Sequence, residues 1–542
     1  MFAKVFRDNS IECENIQKFQ LCVLRTQFGK TFISIKVIKD EISNDIELGK
    51  GIHIIFTMNT LLNNKQFAKR LGEIEDVRKD SICVFSSKYS GSYIHVKNIH
   101  ELKGRFSDDD ETTYPSIILM CSNNKRFKDG IEFIEFIDKS KRNIHRIFVY
   151  FDELHEYIDN KKLRDRIESI DKLGKVKKIL ALTASPDKLW NNSESNSDYW
   201  SNIKLIKLSD LSHANYVGVN DIIFNCVDEF FSDQDSIGKN KQTVEYIEYT
   251  LDEYPKILGE GSFSFIPGKK QRSSHNAIRD LVFKKNEKAV VFLINGVEKS
   301  CKFKDHSDKE ITIPLISNNE ELCETISRIV IKNNLQNRPK IITGLLCVSM
   351  GQTLTHKTIG SFTTAILSHL DLTNDEIYQL FGRVTGRLKD WDTYKQTQIY
   401  CPTIIMNRCK IMEECAKNMI EEYNGEVVSQ EDYRKPITNS GENIMRDKKE
   451  IKEKRSNDDK DYKEFNTQEE AIKFGKENLN VKFNKRREST VPQELIINGR
   501  KPSSEDLYKR FWGINKNTKA RMCPTIDDKW CVWWRPSLIT SI

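Results

Sequence analysis

The stretch QLCVLRTQFGKTFISIKVIKD, residues 20–40, sets an apolar run, Gln20–Arg25, before Thr26-Gln27-Phe28-Gly29-Lys30-Thr31 and a helix-spaced run after it. Strand, short loop and helix in that order form the setting of a phosphate-binding loop. The first turn of the helix offers unpaired backbone amides to an anion. Gly29 lets the backbone come close, Lys30 reaches the outer phosphates, and the Thr31 hydroxyl is placed to ligate magnesium. The pattern G-x-x-x-x-G-K-T is incomplete, because Leu24 stands where the first glycine belongs.

Working outward, short runs rich in Ile, Val and Phe recur at Gly51–Asn59, Ser81–Ser86, Pro115–Ser122, Arg146–Leu154 and Lys177–Ser185. Helix-spaced segments separate them, which predicts parallel strands covered on both faces. A second series covers Asp221–Cys226, Ala289–Asn295, Lys340–Ser349, Phe362–Ser368 and Gln396–Cys401. The expectation is an α/β chain with a first lobe over 1–215 and a second over 216–428. A charged linker over 429–466 and a small α+β module over 467–542 follow.

The run Arg146-Ile-Phe-Val-Tyr-Phe-Asp152-Glu153-Leu154-His155 ends a buried strand in two acids. Charges there are costly without a compensating cation, and magnesium is the natural one. Asp152 would hold the ion and Glu153 would act as general base on a water. A surface turn after a strand would show the same two acids. Thr183-Ala184-Ser185-Pro186 closes the next strand, and Thr183 and Ser185 could hydrogen-bond His155. Ordinary turn chemistry would also place hydroxyls before a proline.

In order, G-K-T, D-E-x-H about 120 residues later and T-A-S about 30 further on resemble the signature of superfamily 2 helicases of the DExH type. Gly344–Thr355 (GLLCVSMGQTLT) resembles motif V, which implies that Gly351 and Thr353 face the nucleotide. Gln379-Leu-Phe-Gly382-Arg383-Val-Thr-Gly386-Arg387 resembles motif VI, which implies a helix carrying Gln379, Arg383 and Arg387 toward the transferring phosphoryl group. The usual arginine spacing there is three; here it is four, which leaves open which arginine is the finger. Ile55–Thr60 and Met120–Arg126 resemble motifs Ia and Ib, implying nucleic-acid contacts from Thr57, Asn59, Asn124 and Arg126. Val290–Gly296 resembles motif IV. The wording of these motifs is similar to helicase-like proteins of large DNA viruses. The resemblance spans about residues 20–425 and implies two RecA-like P-loop NTPase lobes using ATP and Mg2+. A single strand of DNA or RNA would be tracked between the lobes.

Composition bounds the rest. The 542 residues include 28 Phe, 17 Tyr and 7 Trp, enough bulk for real cores, while 24 Gly and 12 Pro exclude collagen-like and linker-like chains. The net charge of +7 is compatible with a polyanionic partner. No run approaches the roughly 18 apolar residues of a membrane span, so no membrane partner is expected. Thirteen cysteines without a C-x-x-C pair suggest reduced thiols inside a cell, in cytoplasm or nucleus, or in a virion if the source is viral. Cys401, Cys409 and Cys415 match no common zinc spacing. From Lys501 onward eight basic and four acidic residues interleave with Trp512, Trp530, Trp533 and Trp534. That module could bind nucleic acid or a protein partner, or bury its tryptophans in a small core. Two other functions fit the same motifs: a nucleic-acid-binding scaffold with a degenerate ATPase, and the motor subunit of a nuclease complex.

Overall fold

A computed structural model describes residues 18–48, 51–57, 61–74, 77–87, 91–106, 114–140, 144–156, 158, 161–190, 198–201, 203–207, 214–230, 243–269, 271–315, 320–345, 353–440, 461–478, 520–525 and 529–534. The chain divides into two compact units, Met1–Ile444 and Met445–Ile542.

The first unit holds two mainly parallel sheets, the α/β architecture expected of two RecA-like lobes. The strands of the first sheet are β1 (Phe19–Val23), β2 (Gly51–Thr57), β3 (Ile82–Phe85), β4 (Ile94–Val96), β5 (Ile117–Cys121), β6 (Arg146–Asp152), β7 (Val176–Thr183) and β8 (Ile203–Leu205). They lie in the order β8-β1-β7-β6-β2-β5-β3-β4, all neighbours parallel. Every residue of β1, β2, β3 and β5 is buried, so these runs read as continuous apolar stretches instead of alternating ones.

Register brings distant motifs together. Val23 pairs with Thr183, and Asp152 pairs with Leu182. The loop after β1, the acids ending β6 and the hydroxyls ending β7 therefore emerge side by side at the carboxyl edge of one sheet, where α/β folds place their ligands.

The second sheet is built on β10 (Ile223–Cys226), β11 (Phe263–Phe265), β12 (Val290–Ile294), β15 (Lys340–Gly344), β16 (Thr364–Ile366) and β18 (Gln398–Cys401). A hairpin, β13 (Lys299–Lys304) and β14 (Glu310–Pro314), extends it antiparallel beyond β12. Between the lobes, β9 (Tyr216–Val217) pairs antiparallel with β17 (Gly386–Arg387).

After the helix Thr403–Glu421 the chain returns to the first sheet. There β19 (Val427–Val428) pairs antiparallel with β8, and the Leu205 amide donates to the Glu426 carbonyl at 2.9 Å. Residues 430–440, within the expected charged linker, instead form a helix on the first lobe. Its apolar residues Tyr433 and Ile437 are buried, and Arg434 grips Asp187 through Nε and Nη2 at 2.5 and 2.7 Å.

The second unit places β20 (Asp461–Phe465), β21 (Ala520–Pro524) and β22 (Trp530–Trp534) in an antiparallel sheet ordered β20-β22-β21. With the helix Gln468–Asn478 it encloses a core of Ala471, Met522, Trp530 and Val532. Trp530 is thus a core side chain. Residues 503–512 and Arg535, considered for nucleic-acid contact, lie outside the described residues. Among the described residues no helix is long and apolar enough to cross a membrane.

Candidate active site

Lys30 opens the helix Lys30–Leu48, directly after Gly29 at φ +108°. That positive φ is the backbone state a glycine adopts at little steric cost. Gln27, at φ +55°, holds the same region without being glycine. Glu153 does so too, at φ +52°, where β6 ends. Such backbone strain gathers at ligand sites.

Lys30 Nζ lies 3.0 Å from Glu153 Oε1, with both side chains buried. Beside them, Asp152 is pushed up to about 7 by burial and then by the charge of Glu153, against the pull of Lys30. Burial and the like charge of Glu153 outweigh Lys30, His155 and Arg70, so the charged form of Asp152 is disfavoured in the protein by itself. His155 Nδ1 stands 2.7 Å from Thr183 Oγ1 and 3.5 Å from Glu153 Oε2. The Ser185 amide donates to Thr183 Oγ1 at 3.0 Å. The structure therefore joins His155, Thr183 and Ser185 in one buried hydrogen-bonded group beside Glu153. Thr31, in the first turn of the helix, is half-buried.

The second lobe closes over this edge. Gln379 lies on the helix Asn374–Phe381 and is 4% exposed. The expected continuous helix carrying both arginines is not formed. It ends at Phe381, a 3₁₀ turn covers Gly382–Val384, and Arg387 falls on β17. Gly386 at φ +125° makes the change of direction. Arg383 is buried, and burial lowers it to about 10 while the charge of Glu153 opposes that fall. Arg387 is exposed and lies over the Phe28 ring at 5.6 Å. Arg383 is thus the arginine whose charge reaches Glu153. Among the described residues, Ser185 Oγ, Gln379 Nε2 and Glu153 Oε2 are buried without a hydrogen-bond partner. Native interiors rarely tolerate such atoms without a ligand or other reason.

Thr353 accepts hydrogen bonds from Gln66 Nε2 and Arg70 Nη2, both at 3.2 Å, and lines a cavity of about 130 Å³ with Gln27, Arg383 and Arg387. Gly351 lies outside the described residues. Arg70 also holds Glu321 through Nε and Nη2, each at 3.0 Å, and its charge reaches Asp152.

Of the residues expected to touch nucleic acid, Thr57 and Arg126 are bonded within the fold. Thr57 is fully buried, bonded to Asn64 and at 3.4 Å to the Met120 carbonyl. Its hydroxyl pins the following helix instead of facing a groove. Arg126 donates to the Lys97 carbonyl at 2.7 Å and stacks over Phe85 at 4.2 Å, so the scaffold occupies it. Asn124 begins the helix Asn124–Lys139. Asn59 lies outside the described residues.

No known protein family matches the chain, and no curated protein matches it. The chain is similar to solved helicases. The NS3-like helicase from Alongshan virus is 9% identical, over 71% of this chain and 72% of its own, with a TM-score of 0.34. S. cerevisiae Dbp5 bound to RNA and ADP BeF3 is 11% identical, over 82% of this chain and 94% of its own, at 0.38. The DUF1998 helicase MrfA bound to DNA is 11% identical, over 76% of this chain and 47% of its own, also at 0.38.

Reading by local motif missed the residues that join the lobes: Arg70, Tyr216, Glu321, Tyr378 and Glu413. None sits in a recognisable pattern. Thr385, inside the motif VI stretch, was overlooked because its partner, Thr26, is 359 positions away.

Proposed function

We propose that the chain is an ATP-driven nucleic-acid helicase or translocase of the superfamily 2 type. One observation carries this reading. Lys30 pairs with Glu153 at 3.0 Å beside the buried Asp152 of the first lobe, and the charge of the buried Arg383 from the second lobe reaches Glu153. The DExH subtype and the likeness to proteins of large DNA viruses rest on the motif wording.

In this reading Gly29 and the first turn of its helix receive the phosphates, and Lys30 exchanges its bond to Glu153 for a phosphate oxygen. Glu153, released, becomes the general base for water. Arg383 meets charge developing on the transferred group, and Gln379 orients it. The two buried acids fit a divalent cation with oxygen ligands, and Thr31 and Asp152 would hold magnesium. Bound there, the ion would neutralise phosphate charge. The relay His155–Thr183–Ser185 links this edge of β6 to that of β7, the route by which hydrolysis would reach the nucleic-acid grip. Asn59, Asn124 and the carboxyl ends of β2 and β5 are proposed to meet DNA or RNA, with Thr57 and Arg126 shaping those ends from within. The C-terminal unit is proposed as a partner-binding module.

The test is ATP turnover with and without single- and double-stranded DNA and RNA. The expected result is turnover stimulated by one of the four and abolished in Lys30→Ala. The rival, a nucleic-acid-binding scaffold, draws on Leu24 in the loop and on the mutual pairing of Lys30 with Glu153. Equal, slow turnover in wild type and Lys30→Ala would favour it.

A further inference from the structure

The loop between β1 and its helix lacks the small residues that let a phosphate-binding loop hold its own shape. Leu24 is fully buried, and Arg25, Gln27 and Phe28 are bulky. What holds this loop comes largely from across the cleft. Arg25 Nη1 lies 3.2 Å from Glu413 Oε1 on the helix Thr403–Glu421, and both groups are buried. The Arg25 guanidinium sits 4.0 Å above the Tyr216 ring, and Phe28 packs on the same ring at 5.3 Å. The Tyr378 hydroxyl donates to the other oxygen of Glu413 at 2.8 Å. One residue along, the Tyr216 hydroxyl donates to the Thr26 carbonyl at 2.8 Å and Thr385 Oγ1 donates to it at 3.3 Å. Gly382 comes so close that a Cβ there would lie 2.5 Å from the Thr26 Cβ. Side chains and backbone of the second lobe thus set two successive residues of the loop, three and four positions before Gly29.

We infer that Glu413 is a positioning residue for the phosphate loop, acting through Arg25, so that the second lobe helps to shape the nucleotide site before any nucleotide arrives. The inference rests on the ATPase reading above and deepens it. A carboxylate whose two oxygens are held by Arg25 and Tyr378 fixes the guanidinium in one place. The guanidinium, clamped between Glu413 and the Tyr216 face, fixes the Arg25 backbone from which the loop turns toward Phe28, whose amide donates to the Arg25 carbonyl at 3.3 Å. Burial also pushes Glu413 up, with Arg25 and Tyr378 pulling the other way, so its charge depends on these partners. With the clamp removed, the loop would still be tethered at Leu24, whose amide donates to the Thr183 carbonyl, but the turn beyond it would be free to relax.

The experiment uses the full chain and MgATP. Glu413→Gln keeps the acceptor for Tyr378 but removes the charge that holds Arg25. It is expected to raise the KM for ATP about tenfold while lowering kcat less than about threefold. Arg25→Gln should match it, and the double variant should add little, since one clamp is lost only once. Tyr378→Phe, a milder change that keeps the ring, should move KM in the same direction by about threefold. A pair that merely glues the lobes would lower the melting temperature and leave KM where it was. That result, in Glu413→Gln or in Tyr378→Phe should the former not fold, overturns the inference. If Lys30→Ala abolishes turnover while these variants keep the wild-type KM, only the clamp is wrong. If wild type shows no Lys30-dependent turnover, the ATPase reading falls and the inference falls with it.

Discussion

The edge around Lys30 and the ends of β2 and β5 both carry motif-like sequence, yet their side chains are held differently. At the ends of β6 and β7, Glu153 pairs with Lys30 at 3.0 Å, and its Oε2 and the Ser185 hydroxyl are buried without a hydrogen bond among the described residues. At β2 and β5, Thr57 bonds to Asn64 and the Met120 carbonyl, and Arg126 donates from Nη2 to the Lys97 carbonyl while its Nη1 faces Asp129 at 3.5 Å. A carboxylate held by a lysine can exchange that partner for a ligand, whereas a side chain bonded to backbone carbonyls holds the frame. The two arginines of motif VI repeat the contrast over four residues, with Arg383 buried, its charge reaching Glu153, and Arg387 exposed on Phe28.

The sharpest way to break this contrast is to compare those arginines. Arg383→Ala should lower ATP turnover by about 10³-fold or more, the range of an arginine finger. Arg387→Ala, which loses an exposed cation–π contact of about 0.5–1 kcal/mol, should change turnover only slightly. Steady-state kinetics decide, and equal losses would erase the distinction. The next largest effect concerns stability. Thr57→Val leaves the buried Asn64 Oδ1 without its hydroxyl donor, and Arg126→Ala removes a charged hydrogen bond. Each should cost about 1–3 kcal/mol in denaturant unfolding. A selective loss of DNA or RNA affinity at unchanged stability would show that these residues face the groove after all.

The smallest effect sharpens the frame side. Lys340 is buried on β15, with Nζ donating to the Gln336 and Arg338 carbonyls at 2.6 and 2.8 Å. Burial lowers it from 10.5 to about 8. Between those values the unfolded chain holds the proton more tightly, so this group's share of stability rises with pH there. The melting-temperature difference between wild type and Lys340→Met should shift toward wild type from about pH 8 to 10.5. A pH-independent difference would mean that the ammonium is not desolvated.

The lobes were legible because strands covered on both faces leave long apolar runs, and Phe151 directly before Asp152 announced a strand ending in charge. The hairpin β13–β14 was less so: in Lys299–Lys304 and Glu310–Pro314 more exposed positions, among them Lys302, Lys304, Glu310 and Thr312, interrupt the apolar ones, a half-exposed pattern unlike the buried runs around it. The placement of Arg383 and Arg387 turns on Gly382 and Gly386, which allow the helix to stop and the chain to turn. Glycine's punctuation is visible in sequence, but the direction it permits is set by packing against Thr26 and Gln27. Thr57 and Arg126 could face inward or outward by any local rule. Glu413 sits in a long helix where nothing nearby in sequence announces Arg25, 388 positions earlier.

The chain leaves the first sheet after β8 and comes back to pair with that same strand at β19. Two covalent passages hung on one rim act as a pair of adjacent pins on a door. Both strands that bracket the intervening chain are therefore anchored on one rim, so a change that frees β19 from β8 would loosen the return passage without touching the outgoing one.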